Sequence, residues 1–282
     1  MMMVLLAVLA ADPRPLGVGL VATTNDKAAN AQAAALAGFV GQSLGRKADS
    51  KVFADYDALA TAVAKGEVEV ALMGPLAYVR AETQAKVTPL LRTVRKGQAT
   101  YRAVLFSKAR SPLATLNAMK KAKNLKVAWV DPSSATGYVL PKAMLVASGI
   151  DPAGLFVTQD FLNTHDAVCK AVSDGKYDVG ATFSDDPVPA IPKATGCEGA
   201  LGAGAGELTI IAATAAIPND VLVVSATFPA DQATKLSAAA KALSASAAGK
   251  KTLTAAFIAE GTTSVKPEDF APVRGALETF KR

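Results

Sequence analysis

The sequence predicts an α/β protein built from two Rossmann-like lobes. Strand-like and helix-like segments alternate along the chain, they fall into two successive sets, and 282 residues are enough to bury a core in each. In the first set, apolar runs mark strands at 16–24, 51–54, 68–74 and 87–94. Helical spacing marks the segments between them, at 25–44, 56–65 and 75–85, where for example Leu59 and Val63 stand four apart on one face. That order predicts a parallel sheet.

The second set opens with an extended run at 101–108 and continues with strands at 125–130, 155–158 and 177–183. Helices fit 137–147 and 165–174, the latter pairing Val168 with Val172. Two further strands, at 208–213 and 221–226, flank Ile217-Pro218-Asn219-Asp220, and the stretch from Pro229 is helical, with Leu236 and Leu243 a heptad apart. If the chain crosses between lobes near 100–108 and 214–224, the C-terminal helices return to the first lobe and a hinged cleft forms at the strand carboxyl ends. The expected domains are lobe I at 12–105 with 217–282, and lobe II at 106–216. The glycine-rich GALGAGAG at 199–206 lacks the Gly-Lys-Ser/Thr ending of a phosphate loop and reads as a surface loop.

Composition narrows the class. Half of the residues are apolar (51%) and 19% are charged, which excludes a disordered chain. The net charge of +6 is spread along the chain rather than gathered with aromatics, so nucleic acid is not the expected partner. The first eleven residues, MMMVLLAVLAA, read as a short signal peptide ending at small residues, followed by a proline-broken polar segment from Asp12. They lack a basic start, which leaves a truncated start or a buried N-terminal strand as alternatives. No cysteine near the break supports a lipid anchor. Cys169 and Cys197 have no ligand cluster around them; a disulfide and two unpaired thiols both remain open.

The segment most suggestive of binding is Asp131-Pro132-Ser133-Ser134-Ala135-Thr136-Gly137-Tyr138, which follows a strand and opens a helix. Small residues, hydroxyls and unbonded helix-start amides suit a tetrahedral anion; ordinary capping by Ser134 or Thr136 is the competing reading. His165, the only histidine, begins the next strand-to-helix turn, where it serves either as a surface or capping residue or as a second contact in the same cleft.

DPSSATGYVLPKAMLVASGIDPAGLF, then THDAVCKAVSDGKYDVGA, together with VFADYDALATAVAKGEVEVALMGPLAYV, resembles the phosphate/phosphonate/phosphite-binding proteins of ABC importers. Tyr101 and IPND at 217–220 fit the same order. The resemblance implies a type II periplasmic binding protein, two lobes joined by two hinge strands, exported to the periplasm, monomeric, without cofactor or metal, and serving a transporter permease. It implies a small phosphorus oxyanion held by Ser134, the backbone at Ala135, Thr136 and His165, with Tyr56 and Tyr101 closing over it. Where the family's turn reads Ser-Thr-Ser, this chain has Ala135 in the middle, so one hydroxyl donor is absent. Asp185 and Asp220 match positions that face the ammonium of aminophosphonates; both also fit turn or cap roles.

Two other classes compete. Tyrosines, a histidine and an aspartate suit a ferric-ion carrier of the transferrin type. An enzyme is disfavoured, because the sequence shows no Gly-x-Ser-x-Gly elbow, zinc spacing or phosphate loop. A ligand-binding sensor would share the binding protein's architecture.

Overall fold

The computed structural model describes residues 14–21, 26–84, 86–187 and 192–279. The expected signal at 1–11 lies outside the described residues, as do the last three residues of the first expected strand. The strands are β1 (Leu16–Val21), β2 (Ala48–Phe53), β3 (Val70–Met73), β4 (Val87–Val94), β5 (Thr100–Ser107), β6 (Leu125–Trp129), β7 (Phe156–Phe161), β8 (Val179–Ser184), β9 (Thr209–Ala213), β10 (Ile217–Pro218), β11 (Val221–Ser225) and β12 (Gly261–Thr263).

They form two sheets. The first has the order β12-β4-β11-β3-β1-β2, and the second the order β10-β5-β8-β6-β7, with β9 also paired to β5. The expected parallel arrangement holds for β1 with β2 and β3. It fails between β3 and β4, because β11 returns from the far end of the chain and inserts antiparallel to both. Every residue of β11 is buried, as its unbroken Val-Leu-Val-Val-Ser run demands of a central strand. In the second sheet β6 runs parallel to β7 and β8, while β5 is antiparallel to β8.

Each sheet is covered on both faces. Helix Asp26–Leu44 and the C-terminal helix Ala230–Ala242 cover one face of the first, where Leu36, Val40, Leu236 and Phe257 pack on Leu16, Val18 and Leu222. The C-terminal helices thus rejoin the first lobe. On the second sheet, Met119, Trp129, Leu145 and Phe156 fill one side, and Val168, Val172 and Phe106 the other. A further cluster spans the lobes, joining Tyr78, Phe270 and Val273 of the first to Val139, Leu140 and Ala143 of the second. Burying each of these larger side chains contributes roughly 1.5–3 kcal/mol, so the lobes share an apolar seam at the level of their crossings.

The first crossing is a tight hairpin. Arg95 and Gln98 exchange backbone hydrogen bonds of 2.9 and 2.8 Å across Lys96-Gly97, both of which have positive φ, 47° and 71°. This is the two-residue turn whose twist suits adjoining strands. Because β5 pairs in the second sheet from its first residues, the change of sheet falls at 95–99, earlier than position 105. The return crossing passes through β10, which pairs with Thr100 and Tyr101.

One local expectation changes and one open alternative is resolved. The GALGAGAG stretch is not an open loop: helical turns Glu198–Leu201 and Gly202–Glu207 bring Ala205 into the core beneath. Cys169 and Cys197 are joined in a disulfide with Cα atoms 5.4 Å apart, binding helix His165–Ser173 to the turn Thr195–Cys197.

Candidate functional site

The carboxyl ends of β1, β3 and β4 face those of β6, β7 and β8 across a cleft of about 390 Å³. Tyr56, Tyr101, Ser134, Ala135, Thr136, His165, Asp185 and Asp220 all line it. The residues nominated from the sequence therefore meet at one place.

The turn after β6 is shaped by a proline. Pro141 has no N–H, so the carbonyl of Gly137 lacks the donor a regular helix would offer it. That carbonyl instead accepts from Val130 N at 3.1 Å, and the chain opens into a wide turn over Ala135–Val139 in which Val139 N donates to the Ser134 carbonyl at 3.0 Å. The helix expected over 137–147 is regular only from Leu140 to Ala147 for this reason. The close approach to β6 requires glycine: a Cβ on Gly137 would lie 2.4 Å from Val130 Cβ.

Capping and ligand contact are compatible at Ser134. Its Oγ accepts from Gly137 N at 3.0 Å, which leaves the hydroxyl proton to donate elsewhere. Thr136 is buried, 4% exposed, yet lines the cleft, and its hydroxyl has no hydrogen-bond partner among the described residues. Its oxygen is not among the fully buried unpaired atoms, so the hydroxyl opens onto the cleft and is available to donate there.

His165 starts its helix after Thr164, whose side chain caps it by accepting from Ala167 N at 3.1 Å. Asn163, in the left-handed region at φ 67°, makes the turn possible and donates its N–H to the Val130 carbonyl at 2.7 Å, holding the two lobe II turns side by side. The His165 Nδ1 lies 2.9 Å from Thr182 Oγ1, and the ring stands edge-on to Phe183 at 5.0 Å. Burial pushes the imidazole down to about 4, so it is neutral at physiological pH. The fully buried Thr182 hydroxyl has no other partner among the described residues and shares one hydrogen bond with Nδ1; in the tautomer in which the hydroxyl donates, the ring's N–H stands on Nε2.

Two phenols also line the cleft, Tyr56 from the first lobe and Tyr101 from β5 of the second sheet. Tyr56 begins a helix capped by Asp55, which accepts from Ala58 N at 2.7 Å. Its hydroxyl is pushed up to about 12, first by burial and then by Asp220 and Asp131. Tyr101 is pushed up as well, again chiefly by burial. Both keep their protons and present O–H donors. Asp185, whose N–H donates to Thr195 Oγ1 at 2.9 Å, has its carboxyl raised mainly by burial, with Lys96 and Arg95 pulling it the other way. Asp220 has a partner not foreseen from the sequence: Arg95 Nη2 donates to its Oδ2.

Arg95, Phe183, Ser133 and Ile258 also line the cleft and were not nominated. Arg95 was findable, since it stands one residue beyond β4, at a strand carboxyl end where such ligands gather. Phe183 and Thr182 read as ordinary strand residues and carry no local signal.

A family model described as ABC transporter, phosphonate, periplasmic substrate-binding protein matches residues 18–270. The phosphate-import protein PhnD of Mycolicibacterium smegmatis is 30% identical over 148 residues, 49% of this chain, and the match spans about half (46%) of that relative's length. Two solved structures share the fold. A binding protein component of an ABC phosphonate transporter from Pseudomonas aeruginosa has a TM-score of 0.75 at 21% identity, covering 96% of this chain and 88% of its own. PhnD1 of Prochlorococcus marinus, solved with methylphosphonate, has a TM-score of 0.73 at 17% identity, covering 96% and 99%. Since the family match runs through both lobes and both crossings, the chain belongs to the periplasmic substrate-binding proteins of phosphonate ABC transporters.

Proposed function

We propose that this protein captures a small phosphorus oxyanion, a phosphonate, phosphate or phosphite, outside the cytoplasmic membrane and delivers it as a monomer to the permease of an ABC importer, without chemically altering it. One observation carries the reading: Ser134, the backbone at Ala135, the Thr136 hydroxyl and neutral His165 line one cleft with Tyr56 of the first lobe and Tyr101 on β5 beside the crossing, both tyrosines protonated. Uncharged donors from both lobes suit a tetrahedral anion that must be released later. Closure of the lobes about the crossings at 95–99 and 217–220 would bring the walls together.

The Cys169–Cys197 disulfide supports an oxidising compartment, as periplasmic delivery requires. Among the described residues no helix is long and apolar enough to cross a membrane. Export without a lipid anchor is part of the same reading and is checked by the N-terminal residue and fractionation of the mature protein.

Ligand must stabilise the folded protein, by about 2.7 kcal/mol at a hundredfold excess over the dissociation constant. Thermal melts with phosphate, phosphite, methylphosphonate and aminoethylphosphonate test this. A midpoint raised by ferric ion and by none of these would transfer the assignment to the metal-carrier class.

A further inference from the structure

Beside the crossings the cleft holds a cation, Arg95, in addition to its uncharged donors. Arg95 is fixed at two points: Nη2 donates to Asp220 Oδ2, and Nε donates to the Ile258 carbonyl at 2.9 Å. The acceptors lie 125 and 163 residues along the chain, so tertiary structure aims the guanidinium, and the tight Lys96-Gly97 turn fixes its backbone. No hydrogen bond engages its Nη1 among the described residues.

The Ile258 side of this clamp has an unfavourable backbone. Ile258 sits at φ 48°, ψ 51°, in the left-handed region that a β-branched residue rarely enters. Such conformations persist where surrounding structure over-determines them, and they cluster at ligand clamps. Here the conformation ends the turn Leu253–Phe257 with the Ile258 carbonyl bonded to Arg95 and the residue itself on the cleft wall.

Among the described residues, the charged side chains lining the cleft are Arg95, Asp185 and Asp220. Two carboxylates alone would make this region a receptor for an ammonium group and would repel a dianion. With Arg95 bonded to Asp220, that carboxylate is already satisfied, and the remaining one, Asp185, lies within the field of both Arg95 and Lys96, so an incoming ammonium would meet a guanidinium beside a carboxylate whose charge is already partly offset.

Resting on the phosphorus-oxyanion reading, we propose that Arg95 is a specificity-determining residue that turns this cleft against aminoalkylphosphonates and toward un-aminated phosphorus oxyanions such as phosphate or methylphosphonate. Calorimetry with phosphate, methylphosphonate and aminoethylphosphonate tests it on the wild type, Arg95→Met and Asp220→Asn. The wild type binds the first two at least about tenfold more tightly than the third, one good charged hydrogen bond being worth that factor. Arg95→Met weakens the first two by about ten- to a hundredfold and narrows or reverses the ranking. Should Arg95→Met not fold, Asp220→Asn decides: it tightens phosphate and methylphosphonate without improving the aminated ligand. A wild type that prefers aminoethylphosphonate, an Arg95→Met that weakens all three equally, or an Asp220→Asn that leaves phosphate unchanged and loses only aminoethylphosphonate overturns the role of Arg95 while the oxyanion reading stands. Absence of binding by all three to the wild type overturns both.

Discussion

The two lobe II turns that follow β6 and β7 line the cleft with uncharged groups, whereas the charges gather around the crossings: Arg95 and Asp220, bonded to each other, and Asp185 at the end of β8. Ser134, Thr136 and neutral His165 are held by backbone turns whose hydrogen bonds close within lobe II. The Arg95–Asp220 pair joins segments far apart in the chain. The lobes differ in reinforcement as well. The chain's two cysteines both lie in lobe II, bonded beside the turns that place His165 and Asp185. The contrast suggests a division in which a rigid, neutral wall takes what all phosphorus oxyanions share, and a charged wall discriminates among them.

The largest effect should fall on that reinforcement. Replacing Cys169 and Cys197 by alanine opens a link across 28 residues and should cost about 3–4 kcal/mol of stability. Denaturant unfolding measures it, and a loss below about 1 kcal/mol would mean that lobe II is no more dependent on its covalent link than lobe I on its core. Next comes the neutral wall itself. Thr136→Ala or His165→Ala removes a bond to a charged ligand, worth about 1.5–3 kcal/mol, and should weaken every phosphorus ligand by roughly ten- to a hundredfold. Losses confined to one ligand would erase the division between the walls.

A smaller effect is expected behind the histidine. Thr182→Val keeps shape but removes the hydroxyl bonded to Nδ1, and with it the restraint on the ring's orientation and tautomer, and should cost roughly three- to tenfold in affinity. Because His165 is the sole histidine, its ring nitrogen shifts report the tautomer without overlap. In the wild type they should show Nε2–H and a titration midpoint near 4. The unfolded chain takes up this proton near the ordinary histidine value of 6.5, before the folded one does. This contribution to stability is therefore complete above 6.5 and declines as pH falls toward 4. An unshifted midpoint would place the ring in solvent and remove it from the neutral wall.

The smallest effect is a gain. Ala135→Ser adds the hydroxyl found in the middle of the family's turn, and should tighten phosphate and methylphosphonate by roughly two- to tenfold if the new group reaches the ligand. An unchanged affinity would mean that the Ala135 position contributes through its backbone alone.

Much of the second-lobe wall was legible in the sequence, because its determinants are local. A strand, a run of small hydroxylated residues and a helix start specify the turn that lines the cleft, and the proline that widens it lies within the same segment. The His165 turn is a second local signal of the same kind. The two α/β sets were legible for the same reason, hydrophobic periodicity being a property of neighbours in the chain. Only the tertiary structure decided that β11 lies between β3 and β4, that Cys169 and Cys197 come within bonding distance, that Thr182 orients His165, and that Asp220 is met by Arg95. Each of these depends on bringing together groups separated by 17 to more than 100 residues, at distances set by how the sheets pack. Residue type and spacing state what chemistry a side chain can perform; the partner that restrains or neutralises it is supplied by the fold.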